Sequence, residues 1–357
     1  MCEMLPLTSW LPTVCCRATK HHKTPHCKLD FFVYLCGVVF FLHHHKNYNS
    51  HHMKRLRTLC ILVLVIAGMC DKVCAQTSIV GPDYSIPSKI GPAYFGPNAF
   101  PVPDMLDGRT SSTMKVEIYG DGFLGTTTGR VADDLTGDVF VRLTTPLFTP
   151  KANLTVWMPI FEAYYTSAEV NALRRLQHKG DLRGVDSGDV YISTDINLLN
   201  SEQHGVDVSV RAAMKTASAN KWADGRCYDS PGYFFDVAAG REVGENGLRV
   251  AASGGFLCWQ TDNGRQNDAV MYGLLLAYRP QKANNRFAVD ACLGGYVGWE
   301  GDGDCPMTLK TNVSWRVGDV WFRVGHQVGL VDWPYHQIRL GVSYSFDILS
   351  TQRRGVK

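Results

Sequence analysis

The chain has 357 residues, of which 45% are hydrophobic and 19% are charged, and its formal net charge at pH 7 is +3. Residues 1–76 hold nine of the 36 Lys and Arg and three of the 33 Asp and Glu, which leaves 27 against 30, or −3, for residues 77–357. A nucleic-acid partner is therefore not expected, because such partners need a basic surface. No run of eighteen apolar residues follows residue 76, so the sequence predicts no membrane-spanning helix there.

Residues 1–52 have a composition unlike the rest of the chain, with eight of the twelve histidines and five of the twelve cysteines. We predict that they are a disordered upstream extension, translated from a mis-set initiation codon, and that Met53 is the true start. Such tracts can bind metal, but these ligands lack a repeated spacing, so we expect no metal and no cofactor. The apolar run at 31–42 is shorter than the roughly 20 residues that a spanning helix needs.

Residues 53–76 have the parts of a secretory signal peptide in the usual order. A basic cluster at 54–57 is followed by an apolar run at 59–67, and small residues precede Gln76. The pattern predicts export and cleavage after Ala75 or Gln76.

Residues 77–112 contain six prolines and four aromatic residues, which predicts an extended segment without regular elements. Two interpretations stay open. The segment is either a periplasmic tether or a plug in the mouth of the barrel that the following residues predict, with aromatic side chains as anchors. Disordered linkers seldom carry so many aromatic residues. These residues are Tyr84, Tyr94, Phe95 and Phe100.

Residues 113–346 alternate apolar and polar side chains in segments of about ten residues, which is typical of strands with two unlike faces. In the last segment, Leu340 and Val342 share one face, and Arg339 and Ser343 share the other. The predicted strands are at 113–119, 138–146, 153–162, 189–198, 206–215, 232–240, 248–259, 269–279, 286–299, 307–317, 320–331 and 336–346.

The connections between these segments alternate in length. Those at 120–137, 163–188 and 216–231 are long, and those between them are short, which is the loop asymmetry of an outer-membrane barrel. Helical spacing occurs at 169–178, within the longest connection, and predicts a short surface helix there.

The content of the two faces favours a membrane barrel over a soluble sandwich. The polar faces combine glycine, serine and asparagine with charges of both signs, which can pair in a shared lumen. Each Arg or Lys turned toward lipid at the bilayer midplane would cost about 2–4 kcal/mol. We therefore predict an all-β chain forming a transmembrane antiparallel β-barrel of about 12 strands over 113–346, preceded by a signal peptide and followed by a tail at 347–357. The predicted lumen-facing residues are Arg142, Arg211, Arg316, Arg323, Arg339, Lys310, Asp207, Asp236 and Asp290.

Several stretches carry a family resemblance over the whole exported chain. They are the leader ending in CAQ, GPNAFPVPDMLDGRT, PLFTPKANLTVWMPIFE, DSPGYFFD, and a last strand that ends in an aromatic residue, any residue and Phe346. In these stretches the chain resembles uncharacterised outer-membrane β-barrel proteins of the Bacteroidota. The resemblance implies the fold and the location and transfers no functional residues. The chain departs from the family pattern in one respect, since eleven residues follow Phe346.

Catalytic motifs are absent from the exported sequence. The G-x-G-x-x-G spacing at 120–125 is followed by no helical pattern, so we interpret it as a surface loop and not as a dinucleotide site. None of the four histidines after residue 76 begins an H-x-S pair, and Ser253 lacks the first glycine of a nucleophile elbow. We therefore expect no catalytic residues and no enzyme activity.

Acidic and cysteine residues leave two further expectations. Glu300, Asp302 and Asp304 lie close together in a predicted outward loop, where we favour a solvated acidic turn over a calcium site. Three cysteines are predicted on the outward side, where one disulfide would fit, whereas Cys292 is expected to be unpaired. The three are Cys227, Cys258 and Cys305.

The sequence favours a small porin-like channel or transport protein in the cell outer membrane, with inward arginines forming a cationic track for anionic solutes. An alternative is a non-conducting surface barrel that presents the connections at 163–188 and 216–231 to a partner. A lipid-modifying enzyme is the least favoured. The expected partners are outer-membrane lipid, the barrel-assembly machinery and a small solute of unknown identity.

Overall fold

The computed structural model describes residues 96–174, 182–219, 231–260, 266–280, 286–299, 301 and 303–346. The predicted upstream extension, signal peptide and carboxy-terminal tail lie outside these residues, as do Tyr84, Tyr94 and Phe95. Among the described helices, none has both the length and the apolar character that crossing a membrane requires.

Thirteen strands and two short helices make up the described chain. The strands are β1 Met114–Gly125, β2 Asp134–Leu147, β3 Thr149–Thr166, β4 Arg183–Asp186, β5 Tyr191–Leu199, β6 Asp207–Lys215, β7 Gly232–Val243, β8 Leu248–Gln260, β9 Gln266–Tyr278, β10 Phe287–Gly298, β11 Met307–Val317, β12 Val320–Val331 and β13 Tyr335–Phe346. The helices are α1 Ala168–Arg174 and α2 Ser201–His204.

Twelve of these strands close into an antiparallel barrel, as the sequence predicts. Strand β3 pairs with both β2 and β5, and the later strands pair in chain order until β13 pairs with β1. The short strand β4 is an addition at one end of β3, where Glu162 pairs with Asp186. Closure gives every barrel strand a hydrogen-bonded neighbour on both sides, whereas an open sheet would expose an unpaired edge to lipid.

The two ends of the barrel differ in their connections, and we name them by this difference. The loop end carries the connections 126–133, 167–190 and 216–231. At the turn end, the single residue Phe148 connects β2 to β3, and a tight turn at 318–319 connects β11 to β12.

The first two strands are longer than predicted. Residues 120–125, interpreted from the sequence as a loop, belong to β1 and pair with β2 and β13. That interpretation was wrong because Gly120, Gly122 and Gly125 supply no side chain to show the alternation. The residues between them, Asp121 and Phe123, are buried in the lumen.

The barrel is apolar outside and polar inside, the reverse of a soluble protein. Leu340 is 59% exposed on the outer face, whereas its neighbour Arg339 turns inward to bond Asp121. Buried charged residues such as Asp134, Glu162 and Arg211 lie on the inner face. An apolar outer surface of this kind is suited to contact with lipid acyl chains.

The predicted surface helix is present and packs one face against the loop end. Helix α1 ends at Arg174, which is fully buried and donates to Asp134 Oδ2 (2.5 Å) and to the hydroxyl of Tyr335 (3.1 Å). Val170 on the same helix is also fully buried. The helix therefore covers part of the barrel mouth, and the rest of its predicted range, 175–178, lies outside the described residues.

Candidate functional site in the barrel lumen

The described part of the proline-rich segment, residues 96–112, lies inside the barrel. Near its start, Asn98 Nδ2 donates to Asp138 Oδ2 (2.8 Å) and Glu162 Oε2 (2.5 Å), in the half of the barrel nearer the loop end. Near its finish, Ser111 and Asn153 exchange two hydrogen bonds of 2.7 and 2.8 Å close to the turn end. The segment therefore runs through the lumen from the loop end to the turn end and continues directly into β1.

Phe100 anchors the segment near the loop end. Its side chain is buried in an apolar cluster of lumen residues that includes Phe234, Trp259 and Tyr296. The hydroxyl of Tyr296 also donates to the backbone carbonyl of Phe100 (3.1 Å). Full burial of an aromatic side chain is worth about 1.5–3 kcal/mol, so this contact opposes withdrawal of the segment.

Asp104 lies midway along the segment and joins three strands of the wall. Its carboxylate accepts a hydrogen bond from Nη2 of Arg142 on β2 (2.9 Å) and forms an ion pair with Nζ of Lys310 on β11. Nη1 of Arg339 on β13 lies 3.7 Å from Oδ2 of Asp104. We call Arg142, Lys310 and Arg339 the cation cluster.

The cation cluster compensates the charge of Asp104, because Arg142, Lys310 and Arg339 surround its carboxylate from three strands. Asp104 belongs to the segment and not to a strand, so its charge enters the lumen only when the segment does.

Aromatic rings fix the arginines of the cation cluster. The guanidinium of Arg339 lies 4.3 Å from the ring centre of Tyr119, and that of Arg142 lies 5.5 Å from the ring centres of Tyr119 and Trp157. Asp121 accepts two hydrogen bonds of 2.7 Å from Arg339. These contacts hold the guanidinium groups in place independently of Asp104.

Closer to the turn end, the segment lies directly against the wall. Arg249 on β8 donates to the backbone carbonyl of Asp107 (2.5 Å) and forms an ion pair with Asp207 (2.9 Å). Gly108 has φ +87°, a conformation that favours glycine. A Cβ atom at Gly240 would lie only 2.4 Å from the carbonyl oxygen of Asp107, so glycine allows this close approach.

A cavity of about 350 Å³ remains between the segment and the wall. Its lining includes Asp104, Tyr119, Arg142, Trp157 and Lys310. The cation cluster thus faces open space as well as the segment.

The other predicted lumen residues are mostly paired within the wall. Arg211 forms two hydrogen bonds of 2.8 Å with Asp236, Arg323 bonds Glu117 (2.9 Å), and Asn312 bonds Asp290 (2.7 Å). The inward arginines therefore do not form the continuous cationic track that the sequence suggested, because inward carboxylates neutralise them.

Arg316 lies apart from this interior network. It is at the end of β11, and its Nε donates to the carbonyl of Gly318 (2.6 Å) in the tight turn at the turn end. Its side chain is 44% exposed. Arg316 is therefore a rim residue and no part of the cation cluster.

The cysteine and acidic-loop expectations have mixed outcomes. Cys292 is free, as expected, and Cys305 is disulfide-bonded. Cys258, which was a candidate for that disulfide, is free and buried, whereas Cys227 lies outside the described residues. Of the acidic trio, only Asp304 is described, and it is buried and not solvated. The described residues contain no group of three or more potential metal ligands.

Sequence reasoning missed the residues that hold the segment. The sequence pattern identifies only a proline-rich stretch and gives no separate role to Asp104, Asp107 or Asn98. It also does not assign Arg249 to the lumen. The available signal was the number of acidic and amide side chains among the prolines, which a simple tether does not require.

Comparison with known proteins agrees with the fold. No protein-family model matches the sequence, and no curated protein matches it significantly. Among solved structures, an outer membrane channel from Pseudomonas putida F1 superposes with a TM-score of 0.50 at 13% identity, covering 68% of this chain and 100% of that chain. The outer membrane phospholipase A from Escherichia coli gives 0.35 at 11% identity, covering 69% and 100%. The chain therefore has the fold of a bacterial outer-membrane β-barrel.

Proposed function

We propose that the protein is an outer-membrane channel for small solutes that its own segment 96–112 closes at rest. The observation that carries the proposal is the position of this segment, which runs the length of the lumen and bonds several strands of the wall. A barrel of eight strands is filled by its own side chains, and one of sixteen leaves an aqueous channel. Here a part of the chain that is not a barrel strand occupies the lumen.

The chemistry of the lumen supports passage of a hydrated solute. The wall inside the barrel is lined by paired charges such as Arg211 with Asp236 and Arg323 with Glu117. Such pairs remain compatible with water once the segment moves, whereas an apolar core would not. The solved barrel from Pseudomonas putida F1 that shares this fold is described as a channel, which is consistent with the proposal.

We place the protein in the outer membrane, exported by the leader at 53–76 and inserted by the barrel-assembly machinery into outer-membrane lipid. The apolar outer face supports this location. An enzymatic role has no support in the described lumen. His204 lies on α2, and His326 and His336 stack against each other with ring centres 5.9 Å apart on the outer face.

Planar-bilayer recording of the purified protein tests the proposal. We compare the wild type with a variant that lacks 96–112 and with a matched control in which these residues are replaced by a Gly/Ser stretch of equal length. Both altered proteins should conduct, and the wild type should show only small or brief openings. Heat-modifiable migration on a gel verifies that each barrel is folded. If both altered barrels are folded and neither conducts, the channel is rejected in favour of a surface barrel.

A further inference from the structure

The cation cluster is a ready-made anion site that a part of the chain occupies. Asp104 places one carboxylate oxygen between Arg142 and Arg339 and the other on Lys310. In the described part of the chain, no other carboxylate forms an ion pair with Arg142 or Lys310. Withdrawal of the segment would therefore remove the carboxylate that forms an ion pair with each of these two cations.

The site also has unused hydrogen-bonding capacity. Nε of Arg142 is buried and meets no acceptor among the described residues. A guanidinium presents its donors in a planar fork that matches a carboxylate. Asp104 engages Arg142 through Nη2 alone, so a ligand free to adjust its position could satisfy more of the fork than Asp104 does.

We propose that Arg142, Lys310 and Arg339 form the solute-binding site of the channel and that its solute is a small carboxylate, for which Asp104 is an internal competitor. This inference names the solute class of the proposed channel and so rests on that function. The carboxylate class is favoured because the group that the site already holds is a carboxylate.

Binding and gating are coupled if the solute and Asp104 compete for one site. A bound carboxylate takes the ion pairs that Asp104 makes and so weakens the hold on the segment. By the same linkage, removal of the Asp104 charge strengthens solute binding. This second effect can be measured without any conductance.

The test is isothermal titration of the purified full-length protein in detergent with succinate, with neutral succinamide as the matched probe. Asp104→Asn should bind succinate about tenfold or more tightly than the wild type, since a charge-assisted contact no longer has to be displaced. Asp104→Asn combined with Arg142→Gln should lose this gain. Asp319→Asn, which removes an exposed carboxylate in the tight turn at the turn end, away from the segment and the cation cluster, should behave like the wild type. Heat-modifiable migration verifies the fold of each variant.

Three results would overturn the inference. The first is equal succinate affinity in wild type and Asp104→Asn. The second is a gain that survives Arg142→Gln or that Asp319→Asn reproduces. The third is tighter binding of inorganic phosphate than of succinate by Asp104→Asn, which would reject the carboxylate class. A barrel that binds succinate as expected but never conducts would retain the site and reject the channel, so the two proposals fail separately.

Discussion

Nη2 of Arg142 donates a 2.9 Å hydrogen bond to Asp104, which lies 38 residues earlier in the chain. One residue belongs to the second strand of the barrel wall and the other to the segment inside it. The bond therefore ties the segment to the wall through an ionic contact. Lys310 and Arg339 approach the same carboxylate from other strands, so the segment is held across the barrel and not along one side.

A disulfide between the segment and the wall should lock the barrel closed. Sγ of Cys292, a free cysteine on β10, lies 3.8 Å from Sδ of Met105. Met105→Cys places a second thiol on the part of the segment that faces Cys292. On oxidation this variant should form a disulfide and conduct less than the wild type, and a reductant should restore the openings. The control is Met105→Cys with Cys292→Ser, whose bilayer currents should not respond to oxidation. Closure of that control by oxidant would contradict the assignment.

A side chain at Gly240 should push the segment away from the wall. The Cβ of Gly240→Ala would lie 2.4 Å from the carbonyl oxygen of Asp107, so the segment must shift. We expect longer or larger channel openings in bilayer recordings. Gly137→Ala is the matched control, because a Cβ there meets no atom within 4 Å. Equal conductance in the two variants would show that this contact does not hold the segment.

The buried pair of Arg211 and Asp236 should stabilise the barrel only while both partners are present. Arg211→Leu leaves a buried carboxylate without its cation and should cost about 3–5 kcal/mol of unfolding free energy. The double variant with Asp236→Leu should be more stable than Arg211→Leu alone. The readout is the temperature at which the folded band disappears from an unboiled gel. Equal temperatures for the single and double variants would argue against a buried charge as the cause.

A positive charge on the outer face should impair insertion. Leu340 lies near the middle of β13 and points outward. Leu340→Arg should cost about 2–4 kcal/mol at this depth and should reduce the heat-modifiable protein recovered from outer membranes. Leu340→Ala, which removes bulk without adding charge, is the control. Normal recovery of the arginine variant would contradict the lipid-facing assignment.

The sequence predicted the barrel well because its signal is local. Alternation along one strand is enough to place Leu340 outside and Arg339 inside, and the bilayer makes that alternation obligatory. The limits of β1 were missed because glycines at 120, 122 and 125 conceal the same alternation. Local patterns also gave no sign that Arg174 would fold back into the barrel mouth.

The candidate site was only half predictable. Arg142, Lys310 and Arg339 could each be assigned to an inner face, but their meeting point depends on strand register and closure around the whole barrel. Their common partner, Asp104, lies in a segment without periodicity. Its place in the lumen follows from ion pairs across the barrel, which a linear pattern does not encode.

The path of 96–112 also constrains the order in which the protein is built. The seam between β1 and β13 joins the two ends of the strand series, so its pairing completes the ring. The cation cluster draws on both sides of this seam, with Arg142 on β2 and with Lys310 and Arg339 on β11 and β13. Asp104 can therefore meet all three cations only once the ring has closed. A cysteine-reactive probe on an Asn98→Cys variant should label arrested, open assembly intermediates and spare the finished barrel; equal labelling of both would refute this order.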